Sequence, residues 1–459
     1  MTFIGREREL AKLKELYFSK GQDGILLYGR RRIGKSELIK KSLEGCSIPS
    51  LYFECTDTSE ETNLSMFCEL IGDAFHIPTP AFSHFFDAIE YLFAKAETMP
   101  IILVLDEYPY LREKIEGCDS LLQKVIDKHA MSGNMKFIVC GSFVQTMKAL
   151  VGESSPLYKR FGREMPVLPM DYLESSMFYP NFSSEDKVRI YSVFGGVPFY
   201  NRYIDDRKSV KENIVDLLLS NDGRFHNEVE SSLRIELGKM CNANEAFLAI
   251  GKGFCKFNDI LSQSGVSSSP ALADVLKKLT NAGLVRKIYP INDESEKKSI
   301  YQVDDRLSRF YFRYLLPRKS FLSVMNPYVF YDRYVAKDFE EIYVPKEFES
   351  VAKAFLIRQN LKGKIDPPLE QIGTYYYDDP INRKNGQFDV VTYNGEHYCF
   401  YEVKFTSSML NPSIYEEERK QVADCGIKNV ELGFFSRSGY IGKWPNVERF
   451  TLEDVYRND

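Results

Sequence analysis

The sequence contains no long hydrophobic run, because its longest aliphatic segment covers only residues 101–105. A helix that spans a bilayer needs about 20 apolar residues, so the sequence predicts no membrane segment and no membrane partner. The first ten residues, MTFIGREREL, carry charges where a signal peptide would have an apolar stretch. We therefore expect a cytoplasmic protein.

Cysteine pairs of the CxxC type are also absent, although the chain has nine cysteines. Their absence argues against a zinc ribbon and against a thioredoxin-type redox motif. A disulfide framework is typical of small secreted domains and is not expected here. Glycine (28 residues) and proline (20 residues) are too few in 459 for a fibrous or largely disordered chain.

The composition that remains, 44% hydrophobic and 27% charged, is that of a globular protein. A length of 459 residues corresponds to about three domains. The formal net charge is −5, but the average is misleading, because residues 251–337 hold 15 basic against 8 acidic side chains. This basic segment indicates a surface that could contact phosphate groups.

Short apolar runs alternate with helical patterns between residues 24 and 170. Runs of this kind, without polar interruption and separated by helices, are typical of a parallel sheet that is covered on both faces. The predicted strands are 25–28, 51–53, 101–105 and 137–140. Helical patterning follows in 171–237, where the sequence Gly-Gly-Val-Pro at 195–198 must interrupt any helix.

Residues 29–36 form a motif, GRRRIGKS, that fits the pattern G-x-x-x-x-G-K-[ST] and lies between a predicted strand and a predicted helix. Backbone N–H groups of such a loop surround phosphates, its lysine reaches the β- and γ-phosphates, and its last hydroxyl binds Mg²⁺. The predicted nucleotide ligands are Gly29, Arg30, Arg31, Arg32, Ile33, Gly34, Lys35 and Ser36.

Two acids follow the most apolar predicted strand. Asp106 is positioned to hold Mg²⁺, and Glu107 to polarise the water that attacks the γ-phosphate. Ser142 follows the strand 137–140 and could sense the γ-phosphate or cap the next helix. The sequence thus predicts binding and hydrolysis of ATP with Mg²⁺ as cofactor.

These motifs, together with the segments FIGREREL, DEYPYL, SPLYKRFGRE and FGGVPFY, resemble the archaeal-type AAA+/STAND ATPase family over most of residues 1–320. The resemblance implies that Phe3 and Arg6 lie beside the adenine. It also implies an arginine finger in the SPLY segment, for which Arg160 and Arg163 are the candidates. A finger that acts on another subunit would require a homo-oligomer.

Residues 254–303 contain two helical patterns joined by a serine-rich turn and followed by two short strands, at 284–289 and 300–303. This order is typical of a winged helix-turn-helix, a fold that often contacts DNA. The alternative is a helical module that binds another protein.

The C-terminal segment has predicted strands at 374–377, 387–393, 398–405 and 430–435. An Asn-Gly pair at 394–395 predicts a tight hairpin, in which Asp389 lies opposite Phe400 and shares a sheet face with Glu402 and Lys404. Two carboxylates and a lysine on one face suit Mg²⁺-dependent cleavage of phosphodiesters.

This constellation resembles the PD-(D/E)XK nuclease superfamily, and the resemblance implies Glu349 as a further metal ligand from the preceding helix. Gln387 stands where relatives commonly have another acid. The predicted fold is a multidomain α/β protein with a P-loop NTPase parallel sheet and a C-terminal α/β restriction-endonuclease-like domain. The domains are 1–170 (P-loop ATPase), 171–237 (helical lid), 238–325 (winged helix) and 326–459 (nuclease-like).

Three functional hypotheses follow. The first is an ATP-dependent protein that acts on DNA and whose C-terminal domain cleaves it. The second is a STAND-type ATP switch whose C-terminal domain binds a partner or DNA without cleavage. The third is a transcription regulator that uses the winged helix alone, although its predicted recognition helix carries only Lys277 and Lys278 against Asp274.

Overall fold

The computed structural model describes residues 3–237, 242–293, 295, 298–379, 384–427 and 430–457. The chain divides into two compact units. One consists of Met1–Met170 with Val197–Phe199, and the other of Asp171–Gly196 with Tyr200–Asp459. Among the described residues, none of the helices combines the length and the apolar composition that spanning a bilayer requires.

The first unit is built on a five-stranded parallel sheet with the order β2-β3-β4-β1-β5. Its strands are β1 (Asp23–Tyr28), β2 (Ser50–Glu54), β3 (Ile101–Asp106), β4 (Met135–Gly141) and β5 (Arg163–Pro166). Its helices are α1 (Glu7–Tyr17), α2 (Lys35–Leu43), α3 (Glu60–Phe75), α4 (Phe85–Lys95), α5 (Tyr108–Lys114), α6 (Cys118–Lys128) and α7 (Val144–Ala149).

The four strands predicted in this unit are confirmed. Every residue of β3 and β4 is buried, as expected for central strands covered by helices on both faces. The sequence did not reveal β5, because REMP is short and mostly exposed and lies at the edge of the sheet. Since the strands are parallel, β1, β3 and β4 all end at the same edge, where ligands of such sheets bind.

The second unit begins with helices and a small hairpin. Helix α10 (Pro198–Asn201) spans the boundary of the two units. The other elements are α8 (Tyr172–Ser176), α9 (Ser184–Phe194), α11 (Val210–Ile214), α12 (Glu228–Leu237), α13 (Ala243–Gly251), α14 (Phe257–Ser264), α15 (Ser269–Asn281), β6 (Val285–Ile288), β7 (Ile300–Val303), α16 (Arg306–Phe310), α17 (Lys319–Leu322), α18 (Pro327–Tyr334) and α19 (Ala336–Asp338).

The predicted interruption at 195–198 is confirmed. Helix α9 ends at Phe194, and Gly195 follows with a positive φ of 61°. Its N–H caps the helix by donating to the carbonyl oxygen of Tyr191 at 2.9 Å. The next helix starts at Pro198, which suits a first helical position.

The C-terminal part of this unit is a mixed five-stranded sheet with the order β12-β11-β10-β9-β8. Strands β8 to β10 are antiparallel neighbours, and β10 to β12 are parallel. Its elements are α20 (Val344–Leu361), β8 (Gln371–Asp379), β9 (Lys384–Tyr393), β10 (Tyr398–Lys404), α21 (Ser413–Asp424), β11 (Val430–Ser436), β12 (Glu448–Thr451) and α22 (Leu452–Tyr456).

Helices α20 and α21 cover opposite faces of the mixed sheet. The ring of Phe355 in α20 packs against Phe435 at a centroid distance of 5.8 Å. Val422 of α21 joins a buried cluster with Phe434 and Phe400. Because Phe434 and Phe435 are consecutive in β11, their side chains point to opposite faces.

Candidate nucleotide and carboxylate sites

The loop between β1 and α2 depends on residues with unusual backbone requirements. Arg32 and Gly34 have positive φ angles of 67° and 89°, and Gly34 is the N-cap of α2. At Gly29 a β-carbon would lie 2.4 Å from the carbonyl oxygen of Val167, so only glycine fits there. The loop therefore folds over the N-terminus of α2, where unpaired backbone N–H groups favour an anion.

Lys35 is the first residue of α2, and its side chain is buried inside this loop. Its Nζ donates to the carbonyl oxygens of Gly29 at 3.0 Å and Arg30 at 3.2 Å. It also donates to Oγ of Ser142 at 2.8 Å. The ammonium group thus joins the phosphate loop to the end of β4.

Asp106, at the end of β3, is 1% exposed and faces the loop. Ser36 Oγ donates to its Oδ2 at 2.6 Å, and the hydroxyl of Tyr52 donates to the same oxygen. Burial, followed by the charge of Asp106, raises the pKa of Tyr52 above its usual value. Tyr52 therefore stays a neutral donor that orients the carboxylate.

Glu107 adopts a left-handed backbone conformation with a φ of 52°. Its Oε2 accepts the backbone N–H of Ser142 at 3.1 Å, and its Oε1 accepts the hydroxyl of that residue. Ser142 thus contacts both Lys35 and Glu107 and bridges the loop lysine to the second acid. The sequence-predicted residues Lys35, Ser36, Asp106, Glu107 and Ser142 come together at one sheet edge.

The N-terminal segment is tied to the phosphate loop by Arg6, which is 4% exposed. Its Nη2 donates to the carbonyl oxygen of Ile33 at 3.2 Å, and its Nη1 lies 3.3 Å from Glu9. Phe3 is partly buried and lies three residues before Arg6 in the chain. The contact of Phe3 and Arg6 with adenine stays a prediction.

Two loop arginines, Arg31 and Arg32, contact aromatic side chains. Arg31 donates to the hydroxyl of Tyr110 at 3.0 Å and lies 5.4 Å from the ring centre of Phe143. Arg32 lies 4.5 Å from the ring centre of Phe199. Cation–π contacts of this kind fix the guanidinium groups without neutralising their charge, so both can still attract a polyphosphate.

The two finger candidates lie near the opposite edge of the same sheet. Arg163 is the first residue of β5, which runs parallel to β1. It pairs with Glu15 at 2.6 Å, and Arg160 pairs with Asp127 at 3.0 Å. The finger role of Arg160 stays a prediction, and this position would require the phosphates of a second copy of the chain.

In the C-terminal domain the hairpin of β9 and β10 has a longer loop than predicted. Tyr393 pairs with Tyr398, so the loop 394–397 has four residues rather than two. Asn394 explains the difference, because its Oδ1 accepts two backbone N–H groups of the loop, at 2.8 and 3.1 Å. The predicted register is therefore wrong by two residues.

A β-bulge in β9 changes the face on which Asp389 lies. Phe400 pairs with Val391, and the next stretch of β9 uses three residues against two of β8. Phe388 and Val391 consequently join the same apolar cluster as Phe400. Asp389, which lies between them, turns toward α20, so the prediction that it shares the face of Glu402 is wrong.

Lys346 of α20 lies between the carboxylates of Glu349 and Asp389, both of which the sequence predicts as metal ligands. Its Nζ is 2.8 Å from Oε2 of Glu349 and 2.8 Å from Oδ1 of Asp389. Gln387 donates to the same Oδ1 at 2.9 Å. Burial is the main cause that raises the pKa of Glu349 to about 7, and the charge of Asp389 adds to it, whereas Lys346 opposes it.

Glu402 and Lys404 form an ion pair with each other on β10. Glu418 of α21 interacts with both charges. Burial and then the charge of Glu402 raise the pKa of Glu418 to about 7. The charge of Glu349 also raises the pKa of Lys404. The acids Glu349 and Asp389 therefore lie at the same end of the domain as Glu402 and Glu418.

Within the described ranges, no group of three or more His, Cys, Asp and Glu side chains is close enough to hold a metal ion. The predicted ligands Glu349, Asp389 and Glu402 are therefore not gathered into a single cluster. Each carboxylate contacts a lysine instead. Their role as metal ligands stays a prediction.

Sequence reasoning missed three residues of these sites. Tyr52 belongs to no sequence motif. It reaches Asp106 only because β2 and β3 are neighbours in the sheet. Lys346 could have been found from its spacing, because residues three apart on a helix share a face with Glu349. Glu418 gives no sequence signal, since α21 carries many charges.

Residues 3–204 match a family described as an ATPase domain predominantly from Archaea. Residues 311–422 match a family described as Archaea bacterial proteins of unknown function. An uncharacterized protein of Methanocaldococcus jannaschii is 26% identical over 452 residues, which cover 96% of this chain and 92% of that protein. An uncharacterized ATP-binding protein of the same organism is 42% identical over 55 residues, 12% of this chain and 93% of that protein.

Among solved structures, a Walker-type ATPase of Pyrococcus abyssi is 20% identical with a TM-score of 0.49, covering 68% of this chain and 96% of that one. The ORC2 protein of Aeropyrum pernix, solved as ADPNP–ADP complexes, is 14% identical with a TM-score of 0.47, covering 70% and 96%. The family match coincides with the domain that holds Lys35, Ser36, Asp106 and Glu107. Residues 3–204 are therefore an archaeal-type P-loop ATPase domain, and the protein that carries it is an ATP-hydrolysing enzyme.

Proposed function

We propose that this ATPase acts on DNA and that its C-terminal domain cleaves phosphodiester bonds with Mg²⁺. One observation carries the proposal: Val390 and Tyr401 are the last residues that β9 and β10 pair with each other. The acids Asp389 and Glu402 are the next residue on each strand, so they stand where the strands part. The fork brings a carboxylate from each face of the sheet to the place where β9 and β10 part, and we assign metal binding and cleavage to this place.

In the ATPase domain, the hydroxyl of Ser36 and the carboxylate of Asp106 form a set of oxygen donors that fits Mg²⁺. Lys35 and the N–H groups of the loop would bind the phosphates. Glu107 would orient the attacking water, while Ser142 holds its carboxylate in place. Magnesium bound there would neutralise the charge that develops on the phosphate oxygens.

In the C-terminal domain, Asp389, Glu402 and Glu349 offer carboxylate oxygens, which suit Mg²⁺. Lys404 would polarise or orient the attacking water from its place beside Glu402. Binding of a divalent cation would require Lys346 to give up Glu349 and Asp389.

DNA contact is assigned to a winged helix formed by α13, α14, α15, β6 and β7. Three helices followed by a two-stranded antiparallel hairpin support it. On the exposed side of α15, Lys278 is held by Asp274 at 2.6 Å, while Lys277 is exposed. With so few polar groups, this helix suits phosphate contact better than base readout.

The test is cleavage of plasmid and linear DNA by the purified full chain with Mg²⁺ or Mn²⁺, with and without ATP. The proposal predicts cutting by the wild type, and its loss in Asp389→Asn and Glu402→Gln. Glu417→Gln, an exposed acid on α21, is the matched control and should cut like the wild type. If neither metal supports cutting with or without ATP, the nuclease proposal is wrong.

The second candidate is a STAND-type switch whose C-terminal domain binds DNA or a partner without cleavage. The pairing of Glu349, Asp389 and Glu402 with lysines favours it, because each carboxylate is already neutralised. In that case Lys35→Ala should change the molar mass measured by light scattering, or the DNA affinity, while Lys404→Ala changes neither. A loss of DNA affinity in Lys404→Ala would argue against the switch.

A further inference from the structure

The basic segment of the sequence contains a surface that belongs to neither the nucleotide site nor the carboxylate site. Residues 313–337 hold five basic side chains and one acidic side chain. Helices α17 and α18 bury Leu322 and Phe330 there, but Phe321 is 48% and Val324 84% exposed. The two exposed residues share one turn, because the N–H of Val324 donates to the carbonyl oxygen of Phe321 at 3.2 Å. Neighbouring apolar side chains left in water beside charges are typical of an interaction surface.

The ring of Phe321 is part of a stack of aromatic side chains. It lies on the ring of Tyr334 at a centroid distance of 5.9 Å and an interplanar angle of 28°. Tyr334 contacts the buried ring of Phe330 at 5.2 Å, so the stack rests on the core of the unit. Nearly half of Phe321 remains in water, which leaves surface on which a further flat group can stack.

Two guanidinium groups flank the same stack. Cζ of Arg318 lies 5.4 Å and Cζ of Arg333 lies 5.5 Å from the ring centre of Tyr334. Neither arginine forms an ion pair with an acid in the part of the chain that the structure describes. Because a cation–π contact orients a guanidinium without neutralising it, both groups keep their charge.

The acids of this region are engaged by other cations. Asp332 pairs with Lys211 at 2.7 Å. Asp338 accepts two hydrogen bonds from Arg313, at 2.7 and 2.8 Å. The two guanidinium groups on the stack are therefore left to meet an anion from outside the chain.

An exposed ring beside two uncompensated guanidinium groups matches a strand of nucleic acid with unpaired bases. A base can stack on the ring while neighbouring phosphates meet the cations. Bases of a duplex are stacked inside it and offer no free face. We propose that Arg318, Phe321, Arg333 and Tyr334, the stacking surface, bind a single-stranded stretch of DNA. The choice of DNA rests on the proposed function.

The experiment measures binding of a labelled oligothymidylate to the full chain by fluorescence anisotropy in EDTA, which prevents cleavage, over a series of salt concentrations. Arg318→Met and Arg333→Met should each weaken binding and reduce the slope of log affinity against log salt by about 0.7, the effect of one phosphate contact with a single strand. The double variant should reduce the slope by about 1.4. Arg207→Met, at an exposed arginine of the same unit, is the control and should bind like the wild type.

Variants of Phe321 separate stacking from apolar contact. Phe321→Ala should lower the affinity about fivefold or more and leave the salt slope unchanged, because stacking carries no charge. Phe321→Leu keeps an apolar side chain without a ring and should bind as weakly, whereas Phe321→Tyr should bind like the wild type. Phe18→Ala, at another exposed phenylalanine, is the matched control. Thermal unfolding checks that each variant is folded, and the arginine variants decide alone if Phe321→Ala is not.

The outcomes separate this inference from the proposed function. If the wild type binds duplex alone, or if it binds the strand and the variants keep its affinity and slope, the stacking surface is wrong while action on DNA stands. If the wild type binds neither form of DNA, both are wrong. If light scattering shows a dimer that Phe321→Ala dissociates while strand binding is unchanged, the surface joins two copies of the chain and the inference is overturned.

Discussion

Ser36 donates a 2.6 Å hydrogen bond to Asp106, a residue 70 positions later in the chain. This contact brings the end of the phosphate loop to the end of β3. Because β3 and the start of α2 are both buried in the same core, the distance between hydroxyl and carboxylate is fixed by packing and not by loop motion. The two oxygens are thereby prepared for one cation before nucleotide arrives.

Replacing Lys35 by alanine should lower ATP turnover by about 10²-fold or more, because a charged donor to the transferring phosphate is lost. The variant also frees Ser142, which accepts a hydrogen bond from Lys35 at 2.8 Å. Lys41→Ala, at a partly exposed position of the same helix α2, is the control and should keep its turnover. Steady-state release of phosphate measures the turnover of both variants. If Lys35→Ala turns over as fast as Lys41→Ala, the assignment of Lys35 to the phosphate site is wrong.

Glu107→Gln should keep nucleotide binding and lose hydrolysis. The amide can still hydrogen-bond to Ser142 but cannot accept a proton from water, so kcat should fall by about 10²- to 10⁴-fold. Binding of a fluorescent ATP analogue and single-turnover hydrolysis separate the two effects. Glu113→Gln, an exposed acid on α5, should change neither, and a Glu107→Gln enzyme that turns over normally would contradict the assignment.

Much of the ATPase domain could be predicted from sequence, because its signals are local. Uninterrupted apolar runs identify four of the five strands, and the parallel sheet brings Lys35, Asp106 and Ser142 to one edge. The register of the C-terminal hairpin depends instead on the side chain of Asn394 and on a bulge at Asp389. Neither has a signal in a strand pattern of period two.

Glu347→Ala should destabilise the fold by about 3–5 kcal/mol, because it removes the acid that contacts the buried Arg309 and the partly buried Arg306. The comparison is Glu416→Ala, which removes an exposed pair with Arg419 and should change stability by about 1 kcal/mol or less. Urea unfolding monitored by circular dichroism measures both free energies. Equal, small effects would show that the network around Glu347 adds no stability.

The pKa of Glu418 predicts a pH dependence of stability. Its folded value is raised to about 7, whereas an unfolded glutamate titrates near ~4.3. The folded state therefore holds a proton that the unfolded state has lost, and stability from this group falls as pH rises between these values. Glutamine cannot titrate, so Glu418→Gln should not lose the stability that the wild type loses between about pH 5 and about pH 7.5. The unfolding free energy of the variant minus that of the wild type should therefore be larger at about pH 7.5 than at about pH 5.

Urea unfolding of both proteins at the two pH values checks this prediction for Glu418. Glu417→Gln, the exposed neighbour on α21, should differ from the wild type by the same amount at either pH. A Glu418→Gln variant that behaves in the same way would show that burial and Glu402 do not shift this carboxyl group.

The central claim is that ATP hydrolysis by this protein serves an action on DNA, and the rate of ATP hydrolysis with and without DNA tests it most directly. The account predicts that duplex or single-stranded DNA raises the steady-state rate severalfold at low salt, and that the increase fades as salt screens phosphate contacts. Lys35→Ala should show no hydrolysis in either condition. A wild-type rate that stays the same with every form of DNA, at low as well as high salt, would contradict the account.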